Sequence, residues 1–591
     1  MTTCRIFLRA GVLIALLSVC GLDACWAGTY RDAVLGLKPS GLWMLDEEAA
    51  PVVDSTGHCL DSIIATGTFG VEGPPGLPRA VMFDGASQYV RIPYAPSMKL
   101  APSFWWCGWI KFTSTQKRFP GVFERGLSSK GHYGLKLWVY GADAGAQAGV
   151  PTWHRNGAQV GWDSVVRPVD TTWKFYCLVF EAESNSIRLY VNGQPTSQAS
   201  KRPAFNGNDE ETGDLFLACQ VNGAAPSNFF KGSLAGIAYG NGTLTPAQIR
   251  AVYEAAAGPL ATPQIEGGIS TGDMIYYVDD DAHRVKDFAL IKGLNAKWVR
   301  YDFNWKVLEP TAKGAYDWSL PDTALKLAKA NELETLGVVL GVPGWANGQQ
   351  GMFHPPAKAT DFRDFCYALG LRYIPQGVTA WEIGNEVNAA NFWQPKPDSA
   401  DYVNKYLIPG AAGLRAAVAA LGPDIKLTII SAGLTADKTD ATHFSPIDFL
   451  TGIYANGGKS SFDAVALHPY TYPYSPWWPA GWVMRAPELY AVMVANDDGA
   501  KNIWATECGY HTTTGFTGVI EEFQAAFAEQ LIRIWQDFAF AGPLFWYKHR
   551  DSGANKNDID QMGGLVRFDF TEKPAAGVAR AAFASEAANP P

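Results

Sequence analysis

The apolar positions of this chain keep two different rhythms, and the change falls near residue 258. From residue 30 to about 256, short apolar runs of strand length are separated by turn residues. Residues 80–85 and 89–93 read as two strands around a turn, and 105–112 as a third. Two further runs, 174–180 and 187–191, flank the polar stretch 181–186, and Asn192-Gly193 turns the chain again. Many short strands with few helices predict an all-β sandwich. Gly258-Pro259-Leu260-Ala261-Thr262-Pro263 then reads as a linker. After it, strand-length apolar runs alternate with amphipathic stretches. Strands are predicted near 264–271, 298–305, 334–341, 378–386, 426–433, 463–470, 502–508 and 542–548. The helices that follow them are predicted over 282–295, 319–332, 358–373, 400–421, 445–456, 483–496, 518–538 and 573–587. Residues 411–421 and 521–538 are the clearest, with apolar residues recurring three and four apart. Eight strand–helix units predict a closed (β/α)8 TIM barrel. A doubly wound open sheet is the alternative, but no Gly-rich dinucleotide turn follows the first strand.

The first half carries Gly41-Leu42-Trp43-Met44-Leu45-Asp46, Met82-Phe83-Asp84-Gly85 and Leu189-Tyr190-Val191-Asn192-Gly193. It closes on Lys231-Gly232-Ser233-Leu234-Ala235-Gly236-Ile237-Ala238 and a short helix over 245–253. This set resembles the concanavalin A-like, laminin G-like jelly-roll family over residues 30–256. The resemblance implies the fold and leaves the ligand open, because such modules bind sugars, bind proteins or space domains.

Length agrees with two domains, since 591 residues exceed what one hydrophobic core serves. The expected divisions are an export signal at 1–27, the sandwich at 28–257, the linker at 258–263 and the barrel at 264–591. Arg5 and Arg9 precede the apolar run 10–21, and Ala24-Cys25-Trp26-Ala27 offers small residues before a cut after Ala27. The run is short for a membrane span. A cleaved signal and a secreted or periplasmic protein are expected. A lipoprotein signal ending at Cys20 is the rival, and it is disfavoured by the bulky Val19. Net charge is −9 with no basic block, which gives nucleic-acid binding no electrostatic support. Of nine cysteines, six remain after the signal is removed. With no C-x-x-C pair a zinc site is not expected, and Cys107, Cys177 and Cys219 suit buried thiols as well as bridges. The 21 Trp and 24 Tyr fit a protein that stacks rings on sugar faces, and equally a large aromatic core.

In a barrel of this kind, functional side chains gather at the C-terminal ends of the strands. Those ends read Arg300 and Asp302 on the second strand, Trp345 beyond the third, and Asn385 and Glu386 on the fourth. His468 and Tyr470 close the sixth, Glu507 the seventh and Trp546 the eighth. Two acids at strand tips of one barrel would point into one pocket. Facing carboxylates are the minimum machinery for cutting a glycosidic bond. The ordered set resembles the retaining glycoside hydrolases of clan A. Trp381-Glu382-Ile383-Gly384-Asn385-Glu386-Val387-Asn388 looks most like family 39, which includes β-xylosidases, α-L-iduronidases and secreted exopolysaccharide endoglycosidases. The resemblance runs over about 260–590.

It implies that Glu386 is the general acid/base and Glu507 the nucleophile, kept ionised by Arg300 and Tyr470. The two carboxyl groups would then lie about 5–5.5 Å apart. It also implies that Asn385 binds the sugar 2-hydroxyl and that Trp546 floors the subsite of the cleaved sugar. Each assignment has a structural rival. The glutamates could be surface ion-pair acids, and His468 a satisfied core histidine. Arg300 could pair with Asp302 or Glu266, and Trp546 could be barrel packing. After the sixth strand, the aromatic segment 470–482 is stiffened by prolines. Tyr472, Trp477 or Trp478 are candidates to line a groove for several sugar units, with Trp393 opposite; the rival is a loop packed on its own rings, and for Trp345, beyond the third strand, the rival is plain packing.

Three functional readings follow: an endo-acting hydrolase of an extracellular polysaccharide, an exo-acting β-glycosidase on small glycosides, and an inactive glycan-binding protein. The catalytic route calls for no cofactor and no metal. A structural calcium in the sandwich, at the acid-rich stretch 206–214, is the weaker reading beside a solvated turn. A monomer is expected, with a polysaccharide or oligosaccharide as its partner.

Overall fold

The computed structural model describes residues 29–113, 120–125, 135–139, 151–155, 158–161, 171–184, 186–200, 213–222, 225–260, 262–272, 281–422, 424–435, 438–478, 480–515 and 517–584. The expected export signal and residues 206–212 of the acid-rich stretch lie outside them. The neighbouring Asp214 pairs with Arg91 at 2.7 Å.

The first half folds as two stacked antiparallel sheets. One holds eight strands, with Phe104–Phe112 at its centre between Lys174–Glu181 and Lys231–Asn241. The other holds seven, among them Gly121–Arg125, Leu215–Leu217 and Val90–Ile92. Trp43, Phe104, Trp106, Phe112, Phe123, Leu178, Leu189 and Tyr239 fill the space between them. The expected hairpin closes at Asn192 and Gly193, both at positive φ (51° and 74°), as a tight two-residue turn requires. The closing helix, Pro246–Ala257, starts where the Thr245 and Gln248 side chains cap each other's backbone and Pro246 fills the first turn.

The second half is a closed barrel of eight parallel strands: β1 (Gly267–Gly272), β2 (Trp298–Asn304), β3 (Glu334–Leu340), β4 (Ala380–Asn385), β5 (Thr428–Thr435), β6 (Val465–His468), β7 (Ile503–Cys508) and β8 (Ala541–Tyr547). Closure comes from β8 pairing with β1, Leu544 opposite Gly267 and Trp546 opposite Ile269. The predicted strands and helices are all present within a few residues. The stretch read as one helix over 400–421 comes as Ser399–Tyr402, a π turn at Val403–Leu407 and Ile408–Leu421. Pro409 has no N–H to give, which interrupts the regular ladder there.

Alternation along the strands builds the barrel interior in layers. Trp298, Leu336, Ala380, Ile430, Ala464, Ala466 and Phe545 form one apolar cluster with Trp504 against it. Two residues further along β2, β4, β6, β7 and β8 come Arg300, Glu382, His468, Thr506 and Tyr547. An apolar floor thus carries a polar storey towards the C-terminal mouth.

The sandwich is joined to the barrel's flank. Tyr190 meets Phe523 edge-on at 6.1 Å, Gln530 Nε2 donates to the Pro195 carbonyl at 3.0 Å, and Arg250 pairs with Glu529. One continuous apolar cluster includes Trp105, Trp109 and Phe175 of the sandwich and Phe523, Phe527 and Leu531 of the barrel. Much of the aromatic excess goes to packing: Trp43, Trp105, Trp106, Trp109, Trp305, Trp381, Trp535 and Trp546 are fully buried. Among the described residues the buried Cys107, Cys177, Cys219, Cys366 and Cys508 form no disulfide, and Cys107 lies directly opposite Cys177 on neighbouring strands.

Candidate active site

The site is organised by one buried cation. Arg300, 1% exposed on β2, has five N–H donors and five acceptors. Nε gives to Glu382 Oε2 at 2.8 Å, and Nη2 to Glu382 Oε1 at 3.1 Å and Asn385 Oδ1 at 2.8 Å. Nη1 gives to Ser270 Oγ at 3.0 Å and Glu507 Oε1 at 2.6 Å. Burial works against the charge, but Glu382, Glu507 and Asp302 outweigh it and raise the guanidinium above its ordinary value. The rival pairing of Arg300 with Glu266 does not occur; that acid takes Lys297 and the Trp298 indole.

Glu507 accepts from Arg300 on one oxygen and from the Tyr470 hydroxyl, at 3.0 Å, on the other. Burial alone would raise its pKa. The His468 and Arg300 charges and the two hydrogen bonds reverse that and hold it below the usual glutamate value. Across from it, Glu386 ends β4 on a kink, Gly384 at φ 98° and Glu386 itself at φ 47°. The left-handed region is costly for a residue with a side chain, and such strain gathers at functional sites. Here the Glu386 N–H is tied to the Gly433 carbonyl at 2.8 Å. His468 Nδ1 lies 2.9 Å from Glu386 Oε1 and 3.7 Å from Glu507 Oε2. Burial depresses this imidazole, and the Glu507 and Glu386 carboxylates more than compensate, so its pKa stands above the ordinary histidine value.

Glu386, His468 and Glu507 present an oxygen, a nitrogen and an oxygen within 4.8 Å of one another. The donor types suit a metal, but the Arg300 cation and the Tyr470 hydroxyl are already on Glu507, and no metal is assigned. The glutamates keep an opening, with side chains 17% and 12% exposed, while Arg300 and His468 behind them are closed off.

Arg300, Asn385, Glu507 and Tyr470 thus form one hydrogen-bonded group, and the Glu386–His468 pair stands beside it with His468 3.7 Å from Glu507. Tyr472 stands beside it, its ring 5.5 Å from Tyr470 and 4.7 Å from His511. Further out, Trp477 is 40% exposed and Trp478 leans on Tyr474 at 4.4 Å. Trp345 is half-buried, gives its N–H to the Glu309 carbonyl at 2.8 Å and packs edge-on against Trp305.

Two expectations are corrected. Trp546 does not floor the pocket: it points outward into the helix layer, 1% exposed, its ring 6.5 Å from Tyr510. Side chains alternate along a strand, and Phe545 is already inward, so the inward tip of β8 is Tyr547. A Cβ on Gly272 would lie 3.2 Å from the Tyr547 ring, and its hydroxyl lies close enough to raise the Tyr470 pKa. Trp393 does not face a groove either. It is 3% exposed and wedged edge-on against Tyr402 and Tyr406, although it lines a small cavity with Asn385, Val387, His354 and Phe392.

Sequence reading missed Glu382, Thr506, Gly433 and Tyr547. Glu382 was announced by a charge in mid-strand between Trp381 and Ile383, a position that demands a buried partner. Gly433 is required by close approach: a Cβ there would fall 2.2 Å from His468 Nε2 and 2.7 Å from Glu382 Oε1.

Residues 84–250 match the family model described as the concanavalin A-like lectin/glucanases superfamily. No curated protein matches the chain. Among solved structures it is similar to a family 39 glycoside hydrolase from the gut symbiont Bacteroides cellulosilyticus, with 17% identity, 84% of this chain and 79% of that one covered, and a TM-score of 0.43. It is also similar to GH5_18 from Streptomyces cattleya in complex with GlcNAc (15% identity, 54% and 80% covered, TM-score 0.41). A third is xylanase B from Clostridium stercorarium (16% identity, 54% and 99% covered, TM-score 0.37). Likeness at this distance says nothing of substrate.

Proposed function

We propose that this chain is a secreted retaining glycoside hydrolase that cuts within an extracellular polysaccharide of exopolysaccharide or biofilm type. The observation that carries the reading is the pair of opposed, unequally surrounded glutamates, with oxygens within 4.8 Å of each other at the mouth of the barrel. That spacing is close to the roughly 5–5.5 Å of a retaining pair, with the nucleophile in direct contact with the sugar, and shorter than the roughly 6.5–9.5 Å of an inverting pair. Glu507, held ionised by Arg300 and Tyr470, attacks the anomeric carbon while Glu386 gives a proton to the departing oxygen. Water then enters beside Glu386, which takes its proton as the ester to Glu507 is cleaved. Asn385 has its carbonyl committed to Arg300, so its amide N–H groups are the ones to offer a sugar hydroxyl. Tyr547 takes the floor position. No step calls for a cofactor.

Export rests on the amino-terminal signal pattern; among the described residues no helix is long and apolar enough to cross a membrane. The sandwich serves at least to brace the barrel flank. The arm after β6 supports endo cleavage, because exposed Trp477 and its neighbour Trp478 extend ring surface beyond the pocket. Replacing both by Ala is expected to raise KM on long chains roughly tenfold, the worth of one or two stacked rings. A short aryl glycoside should be cleaved as before. Equal losses on both substrates would remove the groove. The general test is incubation of the purified protein with polysaccharides from the producing organism and its neighbours, followed by size analysis. A ladder of intermediate lengths fits the endo reading, and release of single sugars from short oligomers fits an exo-acting enzyme instead. Binding without cleavage across the panel fits the inactive binder.

A further inference from the structure

His468 is tied at both ring nitrogens. Nδ1 meets Glu386 at 2.9 Å, and Nε2 meets Thr506 Oγ1 at 3.1 Å. Thr506, fully buried on β7, has one hydroxyl proton, and Glu382 Oε1 lies 3.3 Å away to receive it. Glu382 is 0% exposed, gripped twice by Arg300, and also accepts from the Gly433 N–H at 2.8 Å. A carboxylate so surrounded only accepts. The Thr506 proton therefore goes to Glu382, which leaves the Thr506 oxygen as an acceptor for an N–H on Nε2.

We infer that Thr506 and Glu382 act as positioning residues that fix His468 with its proton on Nε2, so that Nδ1 and Glu386 hold a single catalytic proton between them. The inference rests on the reading of Glu386 as acid/base. In the first step that proton leaves Glu386 for the departing sugar oxygen as the bond between sugar and oxygen breaks and the Glu507 ester forms. In the second, water supplies a proton to Glu386 as its oxygen bonds the anomeric carbon and the ester breaks. His468 ends each cycle as it began.

The device makes the proton hard to lose without substrate. If the pair is stripped of it, a bare Nδ1 faces a carboxylate, lone pair against lone pair. The neutral ring cannot turn into the other tautomer while Thr506 demands the Nε2 proton. The other charges around the ring act in the same setting: Glu507 at 3.7 Å on β7 favours retention, Arg300 on β2 opposes it, and Tyr470 lies beyond the strand's end with its ring at 6.4 Å. The raised pKa of His468 agrees with retention.

The test compares the full-length protein with Thr506→Val and Thr506→Ser. Valine keeps the shape and removes the relay, which frees the neutral ring to place its proton on Nδ1 and stabilise the ionised, inactive Glu386. The alkaline limb of kcat/KM should then move to lower pH by about one unit, the worth of one buried hydrogen bond. Serine should restore it. Independently of activity, 15N-histidine spectra, with His468 assigned by its loss in His468→Gln, should show a protonated Nε2 and a bare Nδ1 in the neutral wild-type ring. Should Thr506→Val fail to fold, the wild-type spectrum decides. A wild-type ring protonated on Nδ1, or a Thr506→Val enzyme slowed equally at every pH, overturns the inference. Inactivity of the wild type on every glycan would instead strike the hydrolase reading and leave the spectrum to judge the relay.

Discussion

Glu507→Gln is expected to abolish cleavage, with kcat falling by about five orders of magnitude, as for loss of a covalent nucleophile elsewhere. The amide is nearly isosteric with the carboxylate, so oligosaccharide binding should hold to within about threefold. The amide also keeps an oxygen for Arg300, which preserves the packing beneath it. The opposing Glu386 oxygen lies within 4.8 Å, nearer than the roughly 6.5–9.5 Å at which a second carboxylate activates water for direct attack. Kinetics on a cleaved polysaccharide, with binding measured calorimetrically, separate the two effects. Activity near wild type would remove Glu507 as nucleophile.

Arg300→Met is expected to give the largest loss of stability of any single change in the site. Two carboxylates, Glu382 at 0% exposure and Glu507 at 12%, would lose their shared cation. Breaking a buried pair by deleting one partner costs about 3–5 kcal/mol, because the remaining charge stays unpaired. The sign of the pH dependence follows from the depressed pKa of Glu507. Its contribution is present above the ordinary glutamate pKa and fades as pH falls through the lower folded value. In Arg300→Met the acids are destabilising while ionised, and protonation relieves them. The gap in urea-unfolding stability between wild type and variant should therefore be widest near neutrality and shrink towards acid pH. A loss under about 1 kcal/mol at neutral pH would mean that the pairs are solvated as surface pairs are.

The architecture was legible because both rhythms were strong. Eight strand–helix units survive small errors at their ends, and a turn such as Asn192-Gly193 has few other uses. The opposed glutamates were legible for a related reason. An acid closing a buried strand is conspicuous, and barrel geometry says where strand tips converge. What sequence alone hid was the far partner of each buried charge. Arg300 looked able to choose Asp302 or Glu266, but the parallel register brings Glu382 and Glu507 onto it from the facing side of the cylinder. Trp546 misled because the terminal aromatic of a strand is easy to notice, whereas its direction depends on whether Phe545 or Trp546 faces inward. The apolar floor formed around Phe545 settles that in favour of Tyr547. Thr506 carried no signal, since a threonine beside an acid is unremarkable until His468 and Glu382 are found on either side of it.

The most direct measurement is the configuration of the first-formed sugar. Proton NMR of the newly released anomeric centre, followed from the first minutes of digestion of a cleaved polysaccharide, reports it before mutarotation blurs the signal. Two successive displacements at one carbon, by Glu507 and then by water aided by Glu386, predict the same anomer as in the polymer. The opposite anomer would mean that water attacks directly, the route of enzymes whose carboxyl groups stand roughly 6.5–9.5 Å apart, and would contradict the assignment of oxygens within 4.8 Å of each other to a retaining pair.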